Sequence, residues 1–426
     1  MAEPVSGSLV TWPKALKVAL LLYLPLRLGL SLFVAVLFWV APTLAVPLRV
    51  ELMARWGIPV PEGPLARLLL NPWLRYDALW YLKTAVGGYE LTEPNIHHLP
   101  LYPLLIRFLY ELVGGHLALD ALFISNLAFI FGLAYFYRLV QFDYDEAVGW
   151  RSAIYLAIFP TAFFYLVGYT ESLFLLGSGA AFYYARRQSW FRSGLGGAVS
   201  ALARPQGVLI LLPLVVEFLQ HEVSVRTTAA GSDGRPTLPS PNSGAGDKAG
   251  RVVLTAHVWR RWLKAWPLLL IPLGLGLYVL YVQLNFGLRP ALDADLAYWQ
   301  MQRDWLPGLA LWLNLKALGQ SLHPLNNSFD LLFALFGLAM TIWVMRTLRP
   351  AYWLFMALNL LMVISRPIDQ YPLLSLPRFV LPLFPMYILL GQVGQNSPRV
   401  HRVIAYTSLV LLLFFTAQFA LGGWVA

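Results

Sequence analysis

Asp77 is the residue whose type and setting most suggest chemistry. In the stretch NPWLRYDALWYLKTAVGGYE (71–90), this one carboxylate stands among Trp73, Tyr76, Trp80 and Tyr81, shortly after a long apolar segment. An apolar setting raises a carboxyl pKa, and a carboxylate so placed can take a proton from a hydroxyl as a general base. The competing reading is structural, with Asp77 at the end of an interfacial helix and paired with Arg75 or Lys83. A second acid, Glu171, lies in FPTAFFYLVGYTESLFLL between two apolar runs. Its plain explanation is capping, with Thr170 as N-cap and Glu171 favoured by the helix dipole. Arg378 in SLPRFVLPLFP, Arg204 in ALARPQG, Arg366, His97 and His98 are the cations that could meet an anionic lipid phosphate. Each alone is more often an interfacial side chain whose charged head reaches water.

Arg27 falls in the middle of the first apolar run, where a charge faces the protein interior; a salt bridge to an interior acid is expected. Asp293-Ala294-Asp295 is a DxD, a pattern used by soluble sugar-nucleotide transferases to hold a metal, and reads here as a solvated loop. The chain has no His/Glu metal spacing, no Walker loop, no dinucleotide fingerprint and no nucleophile elbow. The expectation is a site without cofactor or metal.

The elements that must hold these residues follow from composition. The chain has 426 residues, 58% hydrophobic and only 12% charged, about half the charge of a soluble domain. Apolar runs long enough to cross a bilayer make this an all-α, multi-pass membrane protein with about 9–11 spans. The formal net charge of +10 is then explained by cytoplasmic anchoring arginines, not by nucleic acid. There is no cysteine, so disulfides and thiolate chemistry are excluded. The apolar run from Leu16 to Val40 is too long for a signal peptide and reads as an uncleaved first span with a cytoplasmic N-terminus.

Further spans are expected near 120–137, 151–169, 171–186, 195–218, 265–284, 329–346, 351–365, 378–392 and 403–424. Of these, 195–218 is interrupted at Arg204-Pro205 and reads as a broken pair of short helices entering and leaving from the cytoplasmic side. PLYPLLIRFLYELVG (100–114) reads as an interfacial helix. Residues 219–264 carry seven basic and three acidic residues around a Gly/Ser/Pro-rich centre, and read as a flexible cytoplasmic linker. Two long segments, 41–119 and 285–328, are rich in Trp and Pro with balanced charge and read as folded outer loops of a single transmembrane domain.

Four ordered blocks carry a family resemblance. RYDALWYLKTAVGGYE followed by HHLPLYPLLIRFL, IFPTAFFYLVGYTESLFLL, ALARPQG, and finally LPRFVLPLFP resemble the corresponding segments of the PIG-V-like mannosyltransferases. That family includes the enzyme adding the second mannose to GPI anchors and many prokaryotic relatives. The resemblance implies a GT-C glycosyltransferase, a helical membrane enzyme that moves a sugar from a polyprenyl-phosphate donor on the outer or lumenal face. It implies Asp77 and Glu171 as the catalytic carboxylates and Arg378 as the residue meeting the lipid phosphate. Arg204, His97 and His98 are expected to assist there, and Tyr76, Trp80, Tyr81, Tyr102 and Tyr169 to wall the substrate pocket. Partners implied are the lipid-linked donor, an acceptor that is a glycan, lipid or protein, and membrane lipids; the location is a plasma membrane if the source is prokaryotic. Tyr76 stands where the family has Trp, and His97-His98-Leu99 where two Phe residues usually precede Pro-Leu-Tyr-Pro. The rival reading is a lipid-linked sugar flippase or transporter, which should show internal repeats and paired broken helices.

Overall fold

A computed structural model describes residues 10–44, 46, 49–61, 63–232, 263–300, 306–318, 324–365, 367–368 and 371–425. Most of the linker (233–262) and Arg366 lie outside the described residues. The described chain is helical with no strand. In order the helices are α1 (Trp12–Val40), α2 (Val50–Arg55), α3 (Pro64–Leu69), α4 (Asp77–Gly87), α5 (Leu101–Val113) and α6 (Leu117–Asp143). They continue with α7 (Glu146–Ala157), α8 (Glu171–Arg186), α9 (Trp190–Ala203), α10 (Leu211–Ser232), α11 (Leu270–Phe286) and α12 (Leu288–Tyr298). The last are α13 (Leu309–Ala317), α14 (Pro324–Thr347), α15 (Pro350–Ile364), α16 (Leu376–Val380), α17 (Pro385–Asn396) and α18 (Pro398–Ala420).

Among the described residues, five helical segments are long and apolar enough by themselves to cross a membrane: Trp12–Val40, Leu117–Asp143, Leu263–Phe286, Leu325–Thr347 and Pro398–Ala420. Their polarity is inverted relative to a soluble protein. Leu28, Leu32, Leu284, Val403 and Val410 point outward, while Ser125, Asn126, Thr161 and Thr170 are buried. The buried polar groups bond inside the bundle, because hydrocarbon offers no partner. Ser125 Oγ donates to the Tyr169 carbonyl (2.9 Å) and Thr161 Oγ1 to that of Pro377 (3.0 Å).

Prolines redraw two expected spans and make an expected break in a third. The segment 151–169 is not one helix: α7 stops at Ala157, ahead of Pro160, and a 3₁₀ turn (Ala162–Tyr165) carries the chain on to Glu171. The segment 378–392 is split at Pro382 and Pro385 into α16 and α17. Proline lacks the N–H that an α-helix needs and crowds the preceding turn, so each break falls where the sequence places one. At 195–218 the expected break is present: Pro205 forces Arg204 into extended geometry (φ −146°, ψ 143°), ending α9. Residues 205–210 form a 3₁₀ turn and α10 runs back, so that Phe218 meets Trp190 with ring centroids 5.1 Å apart. The pair is a V whose apex is Arg204. α10 continues through Ser232, so helix occupies the start of the segment expected to be a flexible linker.

Close packing of α8 on α9 delivers that apex to the site. A Cβ on Gly196 would lie 2.7 Å from the Ala181 nitrogen and 2.9 Å from the Gly177 carbonyl oxygen, so only glycine fits. Small residues spaced Gly177/Ala181 and Gly196/Ser200 let the two backbones approach, as in small-xxx-small membrane pairs. Gly196→Leu is expected to destabilise the protein by about 1–3 kcal/mol or more through overpacking, read as a lowered melting temperature in nanodiscs. An unchanged melting temperature would show that the α8–α9 contact is not tight.

Charged groups segregate to the two ends of the bundle. At one end Arg186 bonds Asp143 (2.5 Å) and Glu217 (2.9 Å), and Arg349 bonds Glu217 (2.9 Å), tying α6, α8, α10 and the start of α15 together. Lys14–Glu146 (2.7 Å) and Gln395–Asp145 (2.9 Å) lie at the same end. Asp77, Glu171, Arg204 and Arg378 gather at the other, beneath the helices of the 41–119 segment.

Candidate active site

Asp77 is the first residue of α4, and its position is set by an unusual backbone. Tyr76 has φ 52° and ψ −119°, a left-handed-side conformation that a residue with a Cβ adopts only when its surroundings enforce it. The C-terminal segment enforces it. The Tyr76 hydroxyl donates to the Gly422 carbonyl (2.5 Å), and its ring packs on Trp424 (4.7 Å) and Phe419 (5.9 Å). Ser375, three residues before Arg378, is also left-handed (φ 69°). Strained backbone thus precedes both the acid and the cation that meet.

Arg378 joins the two acids. Its Nη1 donates to Asp77 Oδ2 at 2.5 Å, and its Nε donates to Glu171 Oε1. Arg204 Nη1 donates to the same Glu171 oxygen. The guanidiniums also lie over aromatic faces, Arg378 on Tyr169 (4.4 Å) and Arg204 on Phe379 (4.9 Å). The quartet is electrically neutral and largely buried, which is what makes two arginines tolerable there. Burial pushes the Asp77 carboxyl up, but the Arg378 guanidinium, with help from the neighbouring histidines, more than reverses this and holds it at about 2. His98 is itself pushed well below the ordinary imidazole value, by burial and then by His97. It is therefore neutral at pH 7, and Arg378 carries the effect on Asp77. Burial pushes the Tyr81 phenol up to about 12, keeping it protonated and able to hydrogen-bond.

A cavity of about 270 Å³ opens over this quartet. Its polar wall includes Asp77, Tyr81, His97, His98, Arg204 and Arg378. Its other wall is apolar, formed by Met362, Val363, Ile368, Leu373, Leu374 and Phe379 from the end of α15, the following loop and α16. His98 is buried, and among the described residues neither of its ring nitrogens has a hydrogen-bond partner. His97 Nδ1 lies 2.9 Å from Asp295 Oδ1.

The sequence-derived candidates divide by place. Asp77, Tyr81, His97, His98, Arg204 and Arg378 share the cavity. Glu171 is fully buried and does not line it; its carboxylate orients the two arginines from behind. Tyr169 backs Arg378 and donates to the Arg75 carbonyl (3.2 Å), and Tyr102 is buried with its hydroxyl on the Ala121 carbonyl (2.8 Å). Tyr76 and Trp80 face an adjoining cavity instead. Among the described residues Asp77 makes neither pairing weighed for it, whereas Glu171 does open a helix whose N-cap is Thr170. Arg75 donates to the Val46 carbonyl (3.0 Å), Lys83 pairs with Glu90 and Glu93, and the Thr170 side chain makes no cap bond.

Three expectations are corrected. The Asp77 carboxyl is not raised by its apolar setting: burial pushes it up, but the Arg378 guanidinium beside it lowers it past its ordinary value. Among the described residues Arg27 meets no acid; its guanidinium lies over Trp73 (4.8 Å) and donates to the Leu166 carbonyl (3.3 Å), which also accepts from Asn126 Nδ2 (3.1 Å), since an indole face and a carbonyl can hold a cation in a dry interior. The DxD is not a solvated loop: it lies in α12, whose packing on the His97 segment buries Asp295. Gln206, Asp295, Trp299, Ser375 and Trp424 line the cavity and went unassigned. Only Asp295 carried a local signal, as half of the DxD.

Fold and site together define an all-α, polytopic membrane protein with a polar pocket at one end of its helices. Residues 62–223 match the family model described as Mannosyltransferase (PIG-V), which bears out the resemblance read from the sequence and supports glycosyltransferase activity. The matched segment contains Asp77, His97, His98, Glu171 and Arg204. No curated protein and no solved structure matches the chain.

Proposed function

We propose that the protein transfers a hexosyl group, in line with the family a mannosyl group, from a polyprenyl-phosphate donor to an acceptor hydroxyl with inversion. The observation that carries this reading is the Asp77–Arg378–Glu171–Arg204 quartet lining or backing a cavity with one polar and one apolar wall. The apolar wall suits the isoprenoid segment nearest the phosphate. A guanidinium has five donors; Arg378 spends Nε and Nη1 on carboxylates and Arg204 spends Nη1, leaving donors for phosphate oxygens.

In the step proposed, the acceptor oxygen attacks the anomeric carbon and its proton passes to Asp77. The bond from that carbon to the phosphate oxygen breaks, its electron pair leaving on polyprenyl phosphate. The added negative charge rests on Arg378 and Arg204. Preorganised charge of this kind is worth about 10²–10³-fold per donor group in known sites. A phosphate leaving group needs no acid, so one carboxylate suffices and no step is routed through a metal. Glu171 acts as a positioning residue for both arginines.

The far end of the bundle carries Lys14, Arg138, Arg151, Arg186, Arg187, Arg192, Arg346, Arg349, Arg399 and Arg402. By the positive-inside rule this supports a cytoplasmic placement of that end and a site on the outer or lumenal face, reached by a donor lipid within the membrane. The test is to supply a short polyprenyl-phosphate mannose to the protein in nanodiscs with candidate acceptors. Product of inverted anomeric configuration is expected. Donor movement between leaflets of proteoliposomes, without any glycoside formed, would instead establish the flippase reading.

A further inference from the structure

Asp330 is an acid that the proposed step does not use. It lies near the start of the membrane-spanning α14, is 4% exposed, and meets no cation among the described residues. A carboxyl inside a span is costly and marks a functional role by default. Its hydrogen bond runs to another element: Oδ1 accepts from the Leu376 N–H (3.3 Å), which also reaches the Leu373 carbonyl (3.1 Å). Leu376 opens α16, between the left-handed Ser375 (φ 69°) and Arg378. The Arg378 N–H in turn donates to the Ser375 carbonyl (3.0 Å). α16 has five residues, too few to hold itself in place, since isolated helices need about 12–15. Its placement therefore comes from longer elements. Two of the ties are polar, Asp330 at Leu376 and Thr161 Oγ1 at the Pro377 carbonyl (3.0 Å). α14 also lies close along α16, where a Cβ on Gly337 would come within 3.3 Å of Val380 Cγ2.

We infer that Asp330 is a positioning residue of the site: by accepting from Leu376 it fixes the turn at Ser375 and aims the Arg378 fork at Asp77 and Glu171. It lines neither cavity beside Asp77 and acts through Arg378. What the place requires is a hydrogen-bond acceptor and not a charge, so an amide serves there and a hydrocarbon side chain does not. When the tie is lost, Arg378 is free to draw away, and the Asp77 carboxyl loses the largest influence that lowers it. No other group around Asp77 takes its place. His97 is engaged with Asp295 (2.9 Å), burial keeps His98 neutral, and burial pushes the Tyr81 phenol up to about 12. Tyr169 is tied to the Arg75 carbonyl (3.2 Å), and Arg204 bonds Glu171. That the aimed fork serves sugar transfer rests on the proposed function; the aiming itself does not.

Two readouts in nanodiscs separate these claims: infrared titration of carboxyl protonation, which needs no turnover, and the kinetics of transfer. Asp330→Leu keeps the bulk of the side chain but accepts no hydrogen bond. On acidification from pH 8 to pH 5 it should show a protonated-carboxyl band that disappears when Asp77→Asn is added. The wild-type protein should show no Asp77 band in that range, its carboxyl being held at about 2. Asp330→Leu should also lose about 10- to 100-fold in kcat and gain an acid limb in kcat/KM, whereas Asp330→Asn, which keeps an acceptor oxygen, should stay within about threefold with a flat profile. A leucine variant that is folded by helical content and shows neither the band nor the acid limb would overturn the inference. An asparagine variant as impaired as the leucine one would overturn it too, since the charge and not the acceptor would then matter. Asp330→Ala is read in the same way if the leucine variant does not fold; failure of both to fold would make Asp330 a stability residue and likewise overturn the inference. The expected infrared pattern in a protein that transfers no sugar would leave Asp330 in its place and sink the transferase reading.

Discussion

Asp77→Asn is expected to lower kcat for sugar transfer by about 10²–10⁴-fold, the usual contribution of a positioned general base. Asparagine retains the shape and can still accept from Arg378, so the quartet keeps its geometry. It loses the capacity to take a proton, and it leaves the site one negative charge short. The KM for the anionic donor should therefore stay level or fall while kcat collapses, a split that a merely misfolded variant would not show. Near-normal transfer by the asparagine variant in membranes would remove Asp77 from the mechanism.

Arg378→Gln should act more broadly, on stability and pH dependence as well as on rate, because Arg378 serves both acids and, in the proposed step, the phosphate. Removing it leaves two buried carboxylates facing Arg204 alone; breaking a buried pair by deleting one partner costs about 3–5 kcal/mol. Loss of charge at the leaving phosphate is expected to bring a fall of about 10²–10³-fold in kcat even in the folded fraction. The variant should also acquire a new pH dependence. In the intact site the Asp77 carboxyl is held at about 2, so the base stays ionised across any workable assay range and kcat/KM should show no acid limb from pH 5 to 8. Without Arg378 the largest influence lowering the carboxyl is gone and burial raises it, so protonation on acidification removes the base and kcat/KM should fall toward pH 5. Arg378→Lys should not restore activity, since a single ammonium cannot span both carboxylates as the planar fork does. Wild-type stability together with a flat profile in the glutamine variant would show that the quartet is incidental.

How far the site could be read beforehand differs residue by residue. Asp77 was visible because a carboxylate amid Trp73, Tyr76, Trp80 and Tyr81 is locally anomalous. The break at Arg204 was visible because proline acts on its own neighbours, and the same chemistry at Pro160, Pro382 and Pro385 could have shortened the spans drawn across them. Glu171 was legible as an unusual acid, but not as a buried anchor for two arginines. Asp295 was discounted because three residues say nothing about what packs over them.

Composition and apolar run length by themselves determined that the chain is a helical membrane protein, since a bilayer constrains every segment that crosses it. Local chemistry determined where helices stop and which acid is out of place. Only the tertiary structure decided that Asp77 meets Arg378, 301 positions away, and that His97 meets Asp295, 198 positions away. It alone brought Trp424 and Gly422 against Tyr76 to hold the strained turn before the acid. Helix periodicity and proline act over a few residues, whereas a site built from the ends of α4, α8, α9 and α16 depends on how whole helices pack, which no short stretch of sequence encodes.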